Sequence, residues 1–259
     1  MNLQVNRLPF SQILTVYRLN SLNINVGSVF KFKQFEIDQN GCAMKINTDG
    51  VLLGAIAAHQ LPHTILDIGT GTGVIALMLA QRFPAARVDA VEIDESAAIA
   101  ARKNFTHSPF AERTEVFTVG FERFETIIKY DLIVSNPPYF VNDLKSLEKR
   151  KEIARHADED FFEMLLRRSA ALLTDQGSLW LILPVKQAEK VVVNAVLYKL
   201  FPSKIIHIYS DAAKTSFRQI VCLDFKNKEL VEEHIYIYAS EGIYTDQYKQ
   251  VLSNFFLAF

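Results

Sequence analysis

An apolar segment is followed directly by the tetrapeptide Asn136-Pro137-Pro138-Tyr139. These residue types suit chemistry on a planar amine. Asn136 and the Pro137 carbonyl offer two hydrogen-bond acceptors. Accepting the N–H groups of an exocyclic amine favours its nucleophilic form and stabilises the positive charge that develops on nitrogen. Pro137 and Pro138 fix these acceptors in advance, and Tyr139 can stack on a flipped base. A plain turn after a strand contains the same residue types, so the tetrapeptide alone leaves its function open.

A glycine-rich turn lies upstream, where Asp67 precedes Gly69, Gly71 and Gly73. Glycines let a backbone approach a ligand closely, and a helix start presents unpaired N–H groups. A dinucleotide also fits such a turn, but an acid before it would repel a pyrophosphate and suits a ligand with an ammonium group. Glu92, at the end of the next apolar segment, can accept hydrogen bonds from both hydroxyls of a ribose. These residues favour a methyl donor with an amino-acid part over a dinucleotide.

Both motifs depend on the elements that carry them. From residue 64 onward, short apolar segments alternate with segments whose apolar positions keep helical spacing. This rhythm predicts an α/β protein with a mostly parallel, doubly wound sheet. Ligands bind outside the carboxyl ends of the strands in such sheets, so the two motifs should face one crevice. Upstream, Val29–Asp38 alternates as one strand would, and Asp49–His59 is predicted to be a helix capped by Thr48 or Asp49.

Composition limits the function classes. The 259 residues, 49% of them hydrophobic, suffice for one α/β domain of ordinary size. No apolar run reaches the roughly 18 residues of a membrane-spanning helix, and residues 1–27 lack the pattern of a signal peptide. Cys42 and Cys222 have no metal-ligand spacing and suit a reducing cytosol. The histidines also lack ligand spacing, so no metal is expected.

A net charge of −1 means that a polyanionic partner must bind a local basic patch. One such patch follows the Asn-Pro-Pro-Tyr loop, ahead of a helix predicted from about Asp158. Its basic residues are Lys145, Lys149, Arg150, Lys151 and Arg155. A solvated helix face laced with Glu148 and Glu152 would explain the same run. The alternative basic residues for a docking groove are Lys31, Lys33, Arg167 and Arg168.

Three groups of residues resemble the motifs of class I methyltransferases that act on amino nitrogens: Asp67–Gly73, Glu92 and Asn136–Tyr139. More narrowly, the chain resembles the bacterial tRNA-Val adenine-N6 methyltransferase family, whose members modify the adenosine just 3′ of the anticodon, at position 37. The resemblance extends from about Val29 to the carboxyl end. The segments that carry its narrower part are Phe32–Phe35, Cys42–Lys45, Thr48–Gly54 and Ser108–Arg113.

The resemblance implies a Rossmann-like class I methyltransferase fold with a seven-stranded, mostly parallel, doubly wound sheet and an antiparallel edge strand. Residues 28–259 would form a single methyltransferase domain, in which residues 28–60 are an added strand and helix. Residues 1–27 have no recognised counterpart and are expected to be a poorly ordered extension. The implied reaction is S-adenosylmethionine-dependent N6-methylation of an adenine in tRNA. We expect a cytoplasmic enzyme, a monomer and no metal.

By the resemblance, the glycine turn holds the methionine part of the donor, Glu92 holds its ribose, and Asn136–Tyr139 hold the target base. The predicted cofactor-binding residues are Lys45, Thr48, Asp49, Asp67, Gly69, Gly71, Gly73, Glu92, Ile93, Gly120, Phe121 and Asn136. Relatives often carry an acid for the donor's adenine amino group where this chain has Gly120. A backbone carbonyl or Glu122 is expected to take over that contact.

Four other functions share features with this sequence. Glutamine-N5 methyltransferases of release factors share the Asn-Pro-Pro-Tyr loop but carry a sizeable helical domain before the glycine turn. DNA adenine methyltransferases usually add a target-recognition domain, for which little of this chain remains. A catalytically idle RNA-binding protein is disfavoured by the intact Asn136 and Glu92. A dehydrogenase is the weakest alternative, because no hydride-transfer constellation is visible.

Overall fold

The computed structural model describes residues 29–40, 45–137 and 148–259, and over residues 148–158 the backbone alone. Strands and helices alternate along most of this range, as the apolar periodicity predicts. The strands are β1 (Val29–Lys31), β2 (Glu36–Asp38), β3 (Thr64–Ile68), β4 (Arg87–Glu92), β5 (Thr114–Thr118), β6 (Tyr130–Ser135), β7 (Leu173–Leu183), β8 (Phe201–Tyr209), β9 (Arg218–Asp224), β10 (Val231–Tyr236), β11 (Tyr238–Ser240) and β12 (Ile243–Tyr244). The helices are α1 (Thr48–Ile56), α2 (Val74–Arg82), α3 (Glu95–Thr106), α4 (Glu148–Leu172), α5 (Val185–Ala195) and α6 (Asp246–Leu252).

The main sheet has the strand order β10-β8-β9-β7-β6-β3-β4-β5. Within it, β9 pairs antiparallel with β7 and β8, and the other pairs are parallel. The chain runs outward from β3 to β4 and β5 and then returns to β6 on the other side of β3. This reversal creates a switch point between the carboxyl ends of β3 and β6, where ligands bind in open α/β sheets. Ser135 Oγ donates to the Ile68 carbonyl across it at 2.8 Å.

The mostly parallel, doubly wound α/β fold is confirmed, but two of its details differ from the expectation. The sheet has eight strands instead of seven, and the antiparallel strand β9 lies third from one edge instead of at the edge. The additional strand is β10, which extends the sheet beyond β8. Local periodicity marks a segment as extended, but it does not select the strand with which that segment pairs.

The amino-terminal segment forms two strands instead of the single strand expected over Val29–Asp38. The chain turns between them, where the Phe32 N–H donates to the Phe35 carbonyl at 2.8 Å and the two rings stack with centroids 4.4 Å apart. β1 and β2 therefore pair as an antiparallel hairpin. A β-bridge joins Phe32 to Phe256, so the aromatic carboxyl-terminal segment braces this hairpin. The predicted extension, residues 1–27, lies outside the described residues.

Two helices begin differently from the expectation. Asn47, not Thr48 or Asp49, caps α1, because Asn47 Oδ1 accepts the Gly50 N–H at 2.8 Å. Helix α4 begins at Glu148, well before the expected start near residue 158. Apolar periodicity starts only about there, so the polar first turns of α4 gave no helical pattern to detect.

Apolar side chains fill both faces of the sheet. Helices α1, α2 and α3 pack on one face, where Leu77 and Met78 are fully buried. Helices α4 and α5 cover the other face, with Leu165 and Leu166 fully buried. These layers hold the strands in place, so that their carboxyl ends present loop residues along one edge. Among the described helices, none combines the length and apolar character needed to cross a membrane.

Candidate active site

The glycine-rich turn joins β3 to α2 at the switch point. Gly69, Gly71 and Gly73 have φ values of 70°, 58° and 86°, in the left-handed region that favours glycine. A Cβ on Gly73 would lie 2.5 Å from Phe105 Cε1, whereas one on Gly69 or Gly71 would meet no described atom within 4 Å. Gly73 therefore permits close packing of α3, and Gly69 and Gly71 leave the backbone open to a ligand.

Asp67 lies fully buried near the end of β3. Its Oδ2 accepts hydrogen bonds from Thr70 Oγ1 at 2.6 Å and from the Ala76 N–H at 3.2 Å. Its Oδ1 has no partner among the described residues. Burial raises the pKa of this carboxyl to about 7, and the nearby Glu92 carboxylate contributes to the rise. A buried acid with an unpaired acceptor fits a ligand that brings a positive charge.

Glu92 ends β4 and is only 9% exposed. Its Oε2 accepts the Gly71 N–H at 2.8 Å, and its Oε1 accepts the Asp94 N–H at 2.9 Å. Each carboxylate oxygen keeps a second acceptor site. The backbone therefore orients Glu92 and leaves it able to accept two hydroxyl groups. The next side chain, Ile93, is 65% exposed and offers an apolar surface to a planar group.

The segment after β5 lies beside Glu92, because the Val119 N–H donates to the Glu92 carbonyl at 2.9 Å. Phe121 in this segment is buried. The Glu122 carboxylate folds back on Gly120, so that a Cβ on Gly120 would lie 2.3 Å from Glu122 Oε1. Any larger residue at position 120 would displace Glu122. The position that lacks an acid thus has the carboxylate of Glu122 against its backbone.

Asn136 follows β6 on the other side of the switch point, and the adjacent Pro137 is buried. Pro138 and Tyr139 lie outside the described residues. Because β6 pairs in parallel with β3, Asn136 and the glycine turn leave neighbouring strands at the same edge. The amide nitrogen of Asn136 is 3.8 Å from the position that a Cβ on Gly50 would occupy. The first turn of α1 therefore lies close to this amide.

The remaining amino-terminal residues of the predicted donor site lie on α1 or just before it. Lys45 is exposed, and Thr48 is half-buried and forms a hydrogen bond with Tyr248. Asp49 is buried, and its Oδ2 accepts a hydrogen bond from Arg218 Nε at 2.7 Å. The structure thus brings the first turn of α1, which carries Thr48 and Asp49, close to Asn136, and it pairs Asp49 with a cation at the start of β9.

Known proteins are similar to this chain in sequence and in fold. The family model described as Methyltransferase small domain matches residues 45–203. The tRNA1(Val) (adenine(37)-N6)-methyltransferase of Pedobacter heparinus is 58% identical over 232 residues, which are 90% of this chain and 99% of that protein. The chain belongs to the tRNA1(Val) (adenine(37)-N6)-methyltransferase family. The family inferred from the sequence motifs is therefore confirmed.

Other comparisons agree with membership of this methyltransferase family. The protein of the same name from Bacteroides thetaiotaomicron is 40% identical over 88% of this chain and 97% of its own. A solved structure of a predicted O-methyltransferase from Agrobacterium tumefaciens matches with a TM-score of 0.63 at 19% identity, covering 80% of this chain and 96% of that one. At this low identity the likeness shows the fold alone, which is the class I methyltransferase fold.

The predicted RNA-binding residues of this family member follow the Asn-Pro-Pro-Tyr loop. Lys145 lies outside the described residues. Lys149, Arg150, Lys151 and Arg155 lie on the first turns of α4, where the structure describes only the backbone. One continuous helix therefore carries these four basic residues close in sequence to the loop that would hold the target base.

Three of the four alternative basic residues have partners within the protein. Lys31 forms an ion pair with Glu36 at 3.0 Å. Lys33 and Arg168 donate hydrogen bonds to backbone carbonyl groups. Arg167 is exposed. These contacts give Lys31, Lys33 and Arg168 partners within the protein, although Lys31 and Lys33 remain exposed.

Within the described ranges, no three His, Cys, Asp or Glu side chains form a group that could hold a metal ion. His207 lies 2.9 Å from Glu232 and stacks on His234 between β8 and β10. Cys222 is buried, and Cys42 lies outside the described residues. Packing and hydrogen bonding within the sheet account for the positions of His207, His234 and Cys222.

Asn47, Thr70 and Arg218 orient the site without having been predicted to do so. Asn47 caps α1, and its residue type just before a predicted helix is a signal that a stricter cap assignment would have used. Thr70 lies in the glycine turn, where only the structure shows that it orients Asp67. Arg218 had no local signal, because Asp49, to which it donates, lies 169 residues away in the chain.

Proposed function

We propose that the protein transfers a methyl group from S-adenosylmethionine to N6 of adenosine 37 in tRNA1(Val). The observation that carries the proposal is the 58% identity to a protein of that name over 99% of that protein's length. The placement of Asp67, Glu92 and Asn136 around one switch point supports it. A tRNA substrate implies a cytoplasmic enzyme, and we expect it to act as a monomer.

The residues around the glycine turn fit S-adenosylmethionine. The unpaired Oδ1 of Asp67 suits the ammonium of the methionine part, and the open backbone at Gly69 and Gly71 admits the rest of that part. Glu92 offers one acceptor oxygen to each ribose hydroxyl. Lys45, Thr48 and Asp49 would close this site from the amino-terminal side. Bound here, the donor supplies an electrophilic methyl group on a sulfonium centre.

The adenine of the donor is proposed to rest on Ile93, beside Gly120 and Phe121. The hydrogen bond between Val119 and Glu92 supports this assignment, because it places the segment after β5 next to Glu92, the carboxylate proposed to bind the ribose. Glu122 would accept the hydrogen bond of the adenine amino group. Its carboxylate lies against Gly120, and a carboxylate is a stronger acceptor than a neutral carbonyl.

The Asn-Pro-Pro-Tyr loop would activate the target amine. The lone pair of an adenine amino group is delocalised into the ring, which makes the nitrogen a poor nucleophile. Asn136 Oδ1 and the Pro137 carbonyl would accept its two N–H groups and stabilise the charge that forms as the new N–C bond replaces the S–C bond. Pro138 would hold the loop, Tyr139 would stack on the flipped base, and the surplus proton would leave to solvent.

Purified protein, S-adenosylmethionine and an unmodified tRNA1(Val) transcript test this function. Mass spectrometry of the nucleosides should detect N6-methyladenosine, and a transcript with guanosine at position 37 should give none. In cells, valine tRNA should lose this nucleoside when the gene is deleted and regain it when the gene is restored. Failure of both assays would contradict the proposal. Methylation of a release-factor glutamine or of DNA adenine instead would assign the protein a different substrate, while the proposed methyl transfer to an amino nitrogen would stand.

A further inference from the structure

Arg218 is the first residue of β9, which runs antiparallel between β7 and β8. The amino-terminal end of β9 therefore lies at the edge where the parallel strands end, which is the edge of the candidate active site. Arg218 Nε donates to Asp49 Oδ2 at 2.7 Å, and the two side chains are only 19% and 12% exposed. This ion pair ties the edge of the sheet to the first turn of α1.

The same helical turn lies next to the proposed catalytic amide. Gly50 follows Asp49, and a Cβ at that position would lie 3.8 Å from Asn136 Nδ2. Asn47 caps the turn through the Gly50 N–H. A shift of this turn would therefore be felt at the Asn136 amide, whose orientation decides whether an oxygen or a nitrogen meets the substrate amine.

Two contacts with the neighbouring Phe217 hold the guanidinium in place. Arg218 Nη1 donates to the Phe217 carbonyl at 3.0 Å, and the guanidinium carbon lies 5.5 Å from the centre of the Phe217 ring. Arginine presents its donors in a rigid planar fork, so these contacts fix the direction in which Nε reaches Asp49. A negative charge in the first turn of a helix is also favoured by the helix dipole.

A pair this well shielded from solvent is an unfavourable choice for stability alone. Removing two charges from water is costly, and apolar residues of similar volume often stabilise a protein as much or more. Breaking such a pair leaves an uncompensated charge. The pair therefore fits a role that needs one defined arrangement of α1 against the sheet.

We propose that Arg218 is a positioning residue for methyl transfer. By holding Asp49, it fixes the first turn of α1 against Asn136 and so keeps the catalytic amide oriented toward the target amine. Arg218 acts through α1 and touches neither donor nor base. This inference rests on the proposed function, in which Asn136 acts on the substrate.

The test compares Arg218→Ala, Asp49→Ala and the double variant at saturating donor. The control is Lys228→Ala, which breaks the ion pair of Lys228 with Asp224 at the opposite end of β9. We expect kcat to fall about 10- to 100-fold in each single variant, because small misplacements of catalytic groups have effects of that size. The KM for tRNA should not change, and the control should keep the wild-type kcat.

The double variant shows whether both residues act through their pair. If they do, its kcat should be no lower than that of the more impaired single variant. Wild-type kcat in a folded Arg218→Ala protein would overturn the inference. A double variant whose fold-loss of kcat equals the product of the two single losses would also overturn it, because the two residues would then act independently. A raised KM for tRNA with unchanged kcat would also overturn it and would make Arg218 a docking residue.

Hydrogen exchange provides a readout that needs no activity. Amides in residues 47–56 should exchange faster in Arg218→Ala than in the wild type or in Lys228→Ala, and equal rates would contradict the inference. A wild-type protein that methylates no tRNA would contradict the proposed function instead. The two failures are therefore distinguishable.

Discussion

At the scale of single residues, Glu92 is oriented by the N–H groups of Gly71 and Asp94. We expect Glu92→Ala to weaken S-adenosylmethionine binding by about 1–3 kcal/mol, the cost of losing hydrogen bonds to a charged acceptor. Isothermal titration calorimetry measures this change. Glu115→Ala, which removes an exposed carboxylate on the neighbouring β5, is the matched control. Unchanged donor affinity in the folded Glu92→Ala protein would remove Glu92 from the site.

The Asn136 side chain is expected to act mainly on charge that develops during methyl transfer. Asn136→Ala should therefore leave donor affinity nearly intact and lower kcat by about 10²- to 10³-fold, as the loss of one preorganised polar group does in other enzymes. Single-turnover assays on the tRNA transcript measure the effect, and circular dichroism verifies the fold. Near-normal turnover by this variant would be incompatible with the proposed mechanism.

Asp67 should make the free energy of unfolding of the donor-free enzyme depend on pH. Burial raises its pKa from 3.8 to about 7, so between these values the folded state binds more protons than the unfolded state. The free energy of unfolding should then fall as pH rises through this window, because the folded protein must ionise a buried acid. Asp67→Asn, which is neutral at every pH, should show a smaller fall.

Urea unfolding without donor, at several pH values from about 4 to about 8, measures this difference. The slopes of unfolding free energy against pH should differ most between the two pKa values of Asp67, 3.8 and about 7, and should converge above them. Parallel pH profiles for wild type and Asp67→Asn would show that Asp67 does not titrate in this window.

At the scale of elements, α4 joins the basic run and the buried Leu165 and Leu166 in one helix. Neutralising Lys149, Arg150 and Lys151 together should raise the KM for tRNA. It should also flatten the dependence of log affinity on log salt by about 0.7–0.9 per lost phosphate contact. Donor affinity should stay constant. Arg167→Ala, an exposed residue farther along α4, serves for comparison.

The salt dependence decides between the two interpretations of this run. A solvated helix face predicts that neither the KM nor the slope moves in the triple variant. That outcome would favour RNA docking at the other basic residues, of which Lys31, Lys33 and Arg167 are exposed.

At the scale of the whole molecule, the sheet gathers residues that are far apart in the chain. Asp67, Glu92, Gly120 and Asn136 lie at or just beyond the carboxyl ends of β3, β4, β5 and β6. These strands are parallel neighbours in the sheet, so their ends meet at one edge. The carboxyl-terminal segment braces the amino-terminal hairpin through the bond between the Lys33 N–H and the Phe255 carbonyl at 2.8 Å.

Much of this arrangement could be predicted from sequence, because its signals are local. Apolar periodicity marked most strands and helices, and the residue types after β3, β4 and β6 suggested the chemistry of the site. The ends of elements were less accessible. The polar start of α4 has no apolar period, and Phe32, in the turn within Val29–Asp38, bridges to Phe256 far away in the chain.

By itself, therefore, the sequence determined the fold class, the family and the residues proposed to hold the donor and the base. Only the tertiary structure decided that β10 extends the sheet, that Glu122 folds onto Gly120, and that Arg218 holds Asp49 across 169 residues. The physical reason is that a residue's type and spacing control its local conformation. Its partners across the molecule depend on which strands pair and which helix packs over their ends, and no local pattern encodes that choice.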